Sequence, residues 1–373
     1  MIKIPLAAAT AAAASLPPWW RVVTMVLYFA ALSAVIGGGL TCALVLPPAL
    51  GDPAVRRRGA RFFAWCGGFL LIAAGLQLAA RVARTVPGVS FGQSLDPRRI
   101  WSFLMAPADS GAWVSTGALV LSQNILLLLA ALVLLRRFRL TVGPPLAAAL
   151  AAMGSMVLSV PARSAGQTVD KQLDTWLTQA HIVAAAAWLG GLLCLAVLAR
   201  SRPAVAEASL SWARVWSRFG VVALVAVGVV VASGAWLAWR HVGSAGQLGS
   251  TPYGRFLLVK LLLVAALVGA GAYNQLVLAP RIARAHAAGD LGRGFALTLR
   301  HFPAVVLGET ALGLCVLVIV PFLTGSARAQ AGQHAAAPVD GGMLALAAVL
   351  VATLAVSLFA TYRVALLRCQ ATA

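Results

Sequence analysis

The sequence predicts an all-α polytopic membrane protein, a bundle of about nine transmembrane helices with the N-terminus outside (periplasmic in a bacterium) and the C-terminus in the cytoplasm. Three observations predict it. The 373 residues are 61% hydrophobic and only 10% charged, with a mean hydropathy of +0.91, whereas a soluble globule carries roughly a quarter of its residues charged. The apolar residues fall into runs long enough to cross a hydrocarbon core about 30 Å thick. The net charge of +20 comes from Lys and Arg set between those runs, where they orient a chain and meet anionic lipid, so it does not signal nucleic acid. Alternating ten-residue segments with aromatic girdles are missing, which argues against an outer-membrane barrel.

The elements follow in order. Residues 1–21 form an N-terminal tail. Its Ala-rich run Leu6 to Leu16 behind Lys3 has the composition of a signal-peptide core, but Pro17-Pro18 and Trp19-Trp20 follow directly, and it is read as an interfacial lead-in. The first span, Val22 to Leu46, starts after Arg21 and stops at Pro47-Pro48. Phe62 to Ala80 is bracketed by Arg61 and Arg81. Ala112 to Leu135 ends on Arg136-Arg137, and Pro144 to Val160, the shortest, ends at Pro161. Trp176 to Leu198 lies between Asp174 and Arg200, and Phe219 to Trp239 between Arg218 and Arg240. Phe256 to Ala279 runs from Arg255 to Pro280, Phe302 to Leu323 stops before Gly325, and Gly342 to Tyr362 precedes Arg363. Such boundaries are the breaker and charge signals that end helices. The longest connection, Arg81 to Gly111, is rich in Pro, Gly and Ser and reads as a surface loop or lid. The domain division is therefore 1–21, a four-helix half at 22–160, a second four-helix half at 161–325, and an extra helix at 326–373.

Alternate connections hold 16 and 11 Lys plus Arg. The positive-inside rule places the richer set in the cytoplasm. In that frame Met25, Met105, Met153, Met156 and Met343 all fall on the outer side, as do His181, His241 and His334. Cys42, Cys66, Cys194 and Cys369 lie toward the cytoplasm, with Cys315 near mid-span. Thioethers and imidazoles outside with thiols inside suit a soft metal such as Cu(I), because soft sulfur ligands select it. Methionine is also an ordinary packing residue. Met153 and Met156, at i and i+3, share a helix face.

The stretch Trp176 to Arg200 organises the rest. It carries His181 inside a hydrophobic span and Trp188 seven residues on, close to the same face. Gly190-Gly191 then lets another helix approach. An ionisable residue in such a span is a functional candidate by default. The plainer alternative is a histidine satisfied by a backbone carbonyl or held among headgroups. Arg218 and Lys260 lie near span ends and are expected to snorkel. Glu309 lies deep in the eighth span and should be paired, protonated or facing a polar path, with Asn274 and Arg218 as candidate partners. No CxxC or Cys/His zinc spacing, GxSxG, P-loop or dinucleotide GxGxxG is present, so neither an enzyme nor nucleotide chemistry is indicated.

HIVAAAAWLGG at His181, RFG at Arg218, TPYGRFLLVK from Thr251 to Lys260, Asn274 and the span containing Glu309 together resemble the copper resistance protein D family of bacterial inner-membrane proteins. The resemblance covers roughly Trp176 to Leu323. It implies copper movement across the cytoplasmic membrane, usually inward, beside a small periplasmic copper-binding protein of the C type. It also implies eight spans, so the ninth is a departure. Family motif positions carried over are His181, Trp188, Tyr253, Lys260 and Asn274, with their roles open. The expected metal ligands, His181, Met153, Met156 and His241, and the expected path, Glu309, Asn274, Cys315 and Cys194, come from the residue reading. Two other classes remain open: a copper-binding assembly factor for a cuproenzyme, and a haem protein using His181 with His241.

Overall fold

The structure, a computed structural model, describes residues 16–107, 114–136, 140–158, 169–200, 206–288, 302–334, 336, 339 and 341–370. Among these every regular element is helical. The long helices are α1 (Trp19–Leu44), α2 (Pro53–Thr85), α4 (Thr116–Leu135), α6 (Val169–Leu198), α7 (Ala206–His241), α9 (Pro252–Tyr273), α11 (Phe302–Ile319) and α13 (Gly341–Gln370). The shorter ones are α3 (Pro97–Leu104), α5 (Gly143–Val157), α8 (Gln247–Ser250), α10 (Ala279–Ala287) and α12 (Ala327–Gln330). A π-helical turn, Asn274–Leu278, joins α9 to α10.

The expected spans all appear as helices, most of them longer than the hydropathy runs because capping side chains recruit polar flanks. Asp52 accepts from the Ala54 N–H at 2.7 Å ahead of Pro53, so α2 begins nine residues before Phe62. Ser115 caps α4 through the Ala118 N–H, and Thr251 caps α9 through the Gly254 N–H. Side-chain acceptors at these positions satisfy amides that the first turn leaves open. α1 starts at Trp19, so both residues of the Trp pair and Arg21 are helical rather than part of a tail. Most of the tail, residues 1–15, lies outside the described residues.

Among the described residues eight helices are long and apolar enough to cross a bilayer, and the expected fourth span appears as the 15-residue α5. At 1.5 Å per residue α5 is about 22 Å long, short of the hydrocarbon thickness, and it packs between α1 and α4. The segment after it, 159–168, lies outside the described residues. The connection from Arg81 is also more ordered than a loop. It holds α3, capped by Asp96, and Phe91 stacks on Trp20 at 5.2 Å. α3 rests on the start of α4, where a Cβ on Gly117 would meet the Leu104 carbonyl.

α1 and α6 form the axis of the bundle. α2 and α5 pack on α1 with α4 lying across the two of them, while α7 and α11 flank α6 and α9 lies against α11. The axial crossing is a backbone-to-backbone contact. A Cβ on Gly190 would fall on the Ser33 carbonyl, and one on Gly37 would meet the Ala186 carbonyl and Gly190. The Gly190-Gly191 pair thus opens a groove as expected, and Gly37 of α1 fills the other side. α13 stands apart from this core. It touches α7, where Leu358 packs at Gly228, and α10, and its most apolar stretch buries none of its residues.

Candidate functional site

The functional side chains lie in the second half of the bundle, at two levels. The first level is a ladder between α6 and α7. Asp174, His181 and Trp188 recur every seven residues along α6, and Arg240, Ser233 and Ala226 recur every seven along α7. Two turns of helix return nearly to the same face, so the two rows meet. Asp174 accepts from the Trp236 indole N–H at 2.8 Å and from Arg240 Nε at 3.1 Å, with Arg240 Nη2 also at 3.1 Å. Trp236 packs edge-on against Trp239, and the Arg240 guanidinium lies over the Trp239 ring. One rung deeper, His181 Nδ1 is 3.0 Å from Ser233 Oγ. Trp188 and Ala226 are buried in the core beneath.

The Ser233 hydroxyl donates its single proton to the Val229 carbonyl at 2.5 Å. With its Nδ1–H donating to Ser233 Oγ and the Val230 carbonyl also within hydrogen-bond reach of the ring, Nε2 is the nitrogen of His181 that can keep a lone pair. That nitrogen is the ligand-competent atom of this level. Lys260, half-buried two turns into α9, lies within electrostatic range of His181. It does not snorkel away from the bundle as the sequence suggests, and its ammonium opposes any second cation there.

His241 is held separately. Its Nδ1 faces the Leu237 carbonyl at 2.7 Å, and its ring stacks on Tyr253 at 5.9 Å. His181 faces Ser233, eight residues from His241, or about 12 Å along α7. The two imidazoles do not form the facing pair that an axial haem site uses. Around Tyr253 a polar strap closes this end of α7 and α9: Gln247 bonds the Gly243 amide and Gln333, and Gln330 accepts from the Tyr253 amide.

The second level is the pair Asn274 and Glu309. Asn274 Nδ2 donates to Glu309 Oε1 at 2.6 Å, with the residues 7% and 4% exposed. Arg218, the other candidate partner, is exposed on α7. Asn274 opens the π-helical turn, a feature that often marks functional positions. Its neighbour Gln275 reaches across to Gly220 of α7, so the turn joins α7, α9 and α11.

The remaining expected residues are spread out. Met156 is buried in the core of the first half and Met153 packs against it. Cys194 is fully buried in the axial core with Cys42 and Cys66, whereas Cys315 is exposed on α11. Among the described residues no group of three or more His, Cys, Asp or Glu is placed to hold a metal. Asp174, Arg240, Trp236 and Ser233 were not singled out from sequence. The seven-residue recurrence of Asp174 with His181 was the available signal.

Residues 213–323 match the family model described as Copper resistance protein D. This stretch is therefore similar to the copper resistance protein D family. The matched stretch spans most of α7 together with α9, the π-turn and α11, and so holds Ser233, Lys260, Asn274 and Glu309, while His181 precedes it. The chain is also 27% identical over 191 residues to the copper transport protein CutJ of Bacillus subtilis (strain 168), covering 51% of this chain. It spans about a third of that relative's length, 34%. No solved structure matches.

Proposed function

We propose that this chain moves copper across the bacterial inner (cytoplasmic) membrane, inward, as a multi-pass transporter rather than an enzyme. The supporting observation is the coincidence of the copper resistance protein D match with the helices that carry polar groups at bilayer depth. Cu(I) is the favoured ion, because imidazole and thioether ligands bind it without a carboxylate. Capture begins at His181 Nε2, assisted by His241 and by the Met153–Met156 face. The separate positions of these residues make capture a sequence of transfers instead of one preformed cage. Release proceeds past Asn274 and Glu309 toward the Cys194 level, on the side that the charge bias assigns to the cytoplasm. A small periplasmic copper-binding protein of the C type supplies the ion, and neither nucleotide nor nucleic acid takes part.

The test is uptake of radioactive copper into vesicles containing the purified chain, with the metal kept reduced. Uptake above protein-free vesicles supports transport. Copper binding without flux would favour a membrane assembly factor, and neither binding nor flux would overturn the copper reading.

A further inference from the structure

We propose that Asn274, Glu309 and the π-turn carrying Asn274 form a binding site for a hard monovalent cation, a proton or sodium, distinct from any soft-metal ligand set. Both side chains are more than nine-tenths buried, and their mutual bond uses only one oxygen of the carboxylate and one face of the amide. Asn274 Oδ1 is buried with no hydrogen-bond partner among the described residues. A buried amide oxygen left open is costly, and such an orphan next to a carboxylate forms an oxygen-lined, negatively charged niche. The backbone adds to it. The Ala279 N–H bonds the Asn274 carbonyl five residues back, and this wide turn takes backbone carbonyls out of their α-helical pairing.

The donor chemistry selects the occupant. Oxygen donors suit hard cations, and soft copper prefers sulfur and nitrogen. A single carboxylate neutralises one positive charge, which in a low-dielectric span favours a monovalent ion over a divalent one. No described cation competes for the place. Arg218 is exposed, Lys260 is fourteen residues back, or about 21 Å, and the side chain bonded to Glu309 is the neutral amide of Asn274. On α11 itself, Thr310 beside it turns its hydroxyl to the Val306 carbonyl. Since Asn274 is in the π-turn that follows α9, Glu309 on α11 and Gln275 against α7, occupancy changes the contact that holds three helices together. That such a change drives copper movement rests on the proposed function; the cation binding does not.

The experiment uses the full chain in lipid nanodiscs with copper removed by a chelator. Saturable binding of ²²Na⁺ that Glu309→Gln abolishes and Asn274→Ala weakens by about tenfold would support the sodium form. Absence of sodium binding, together with an infrared carboxyl protonation band that responds to pH and disappears in Glu309→Gln, would support the proton form. Asn274→Ala keeps the carboxyl group, so it serves if Glu309→Gln does not fold, and it should shift that band. Wild-type protein showing neither sodium binding nor a pH-dependent carboxyl band would overturn the site. Cation binding that persists while vesicle copper uptake is absent would sink the copper reading alone.

Discussion

Replacing Gly190 with alanine should loosen the whole bundle. The added methyl would fall on the Ser33 carbonyl, with Gly37 Cα directly behind it. Both obstacles are backbone, so no side-chain rotation relieves them and α1 and α6 must separate. Overpacking of this kind costs about 1–3 kcal/mol, and lost dispersion along the widened crossing adds to it. Gly75 of α2 supplies the control. A Cβ there meets nothing within 4 Å, so Gly75→Ala should be neutral or stabilising by up to about 1 kcal/mol, the usual helix preference of Ala over Gly. The assay follows thiol exposure on heating in detergent. Cys42, Cys66 and Cys194 are buried in the axial core and Cys315 is exposed, so a Cys315→Ala, Cys369→Ala background reports unfolding of the axis alone. Gly190→Ala should expose the three thiols at clearly lower temperature than Gly75→Ala. Coincident curves would refute the close crossing.

Three further predictions follow. Reporter fusions after Arg139 and Arg284 should read as cytoplasmic and those after Asp170 and Ser244 as periplasmic, given the charge bias; a periplasmic signal at Arg139 would invert the Met and Cys polarity. In a Cu(I) competition titration, His181→Ala should weaken binding more than Met153→Leu with Met156→Leu, whose near-equal volumes cost under about 1.5 kcal/mol in packing; wild-type affinity in both would reduce these residues to helix packing. Lys260→Gln should tighten Cu(I) binding by roughly tenfold, since a unit charge on the order of 10 Å away contributes roughly 1.5 kcal/mol of repulsion at an effective dielectric of about 20; an unchanged or weaker affinity would mean that His181 is not a ligand.

What the sequence made legible, and what it hid, divides by the range of the interaction. Hydropathy is summed over a whole segment, so the existence of the spans was readable, and the breakers at Pro47, Arg136 and Pro280 bounded them. Helix ends were not, because caps such as Asp52 and Thr251 recruit polar flanks that hydropathy discounts. The fourth span was the hardest to bound, because an apolar run of 17 residues has the same composition whether it crosses lipid or packs inside a bundle, and the helix found there, α5, is 15 residues long. Glu309 and Asn274 were legible as deep polar residues, and their pairing was narrowed to two candidates. Choosing between Asn274 and Arg218 needed the rotation of α7, which places Arg218 outward. Lys260 was misread for a related reason: distance from a helix end does not say which face turns inward.

The two polar levels also constrain how any ion crosses. Lys260 and Asn274 mark them on α9, about 21 Å apart along its axis. Between them the second half of the bundle is filled by apolar side chains, with Trp188 and Leu189 buried and Leu189 seated against Gly313 of α11. Gly191 receives Phe219 from α7 just beyond. An ion in that layer meets mostly apolar side chains, with the buried Thr41 hydroxyl beside Gly191 as a polar atom, and an unsatisfied charge in hydrocarbon is costly. Transport on the proposed route therefore requires α6 and α11 to part at Leu189 and Gly313. Gly190 permits the close backbone approach of α1, while Gly191 and Gly313 are the hollows into which Phe219 and Leu189 fit. The Asp174–Arg240 pair holds α6 to α7 at one end of this layer, and Asn274–Glu309 holds α9 to α11 at the other. Both ties are polar and each uses a carboxylate, so removing either carboxylate should loosen the helix pair that it holds.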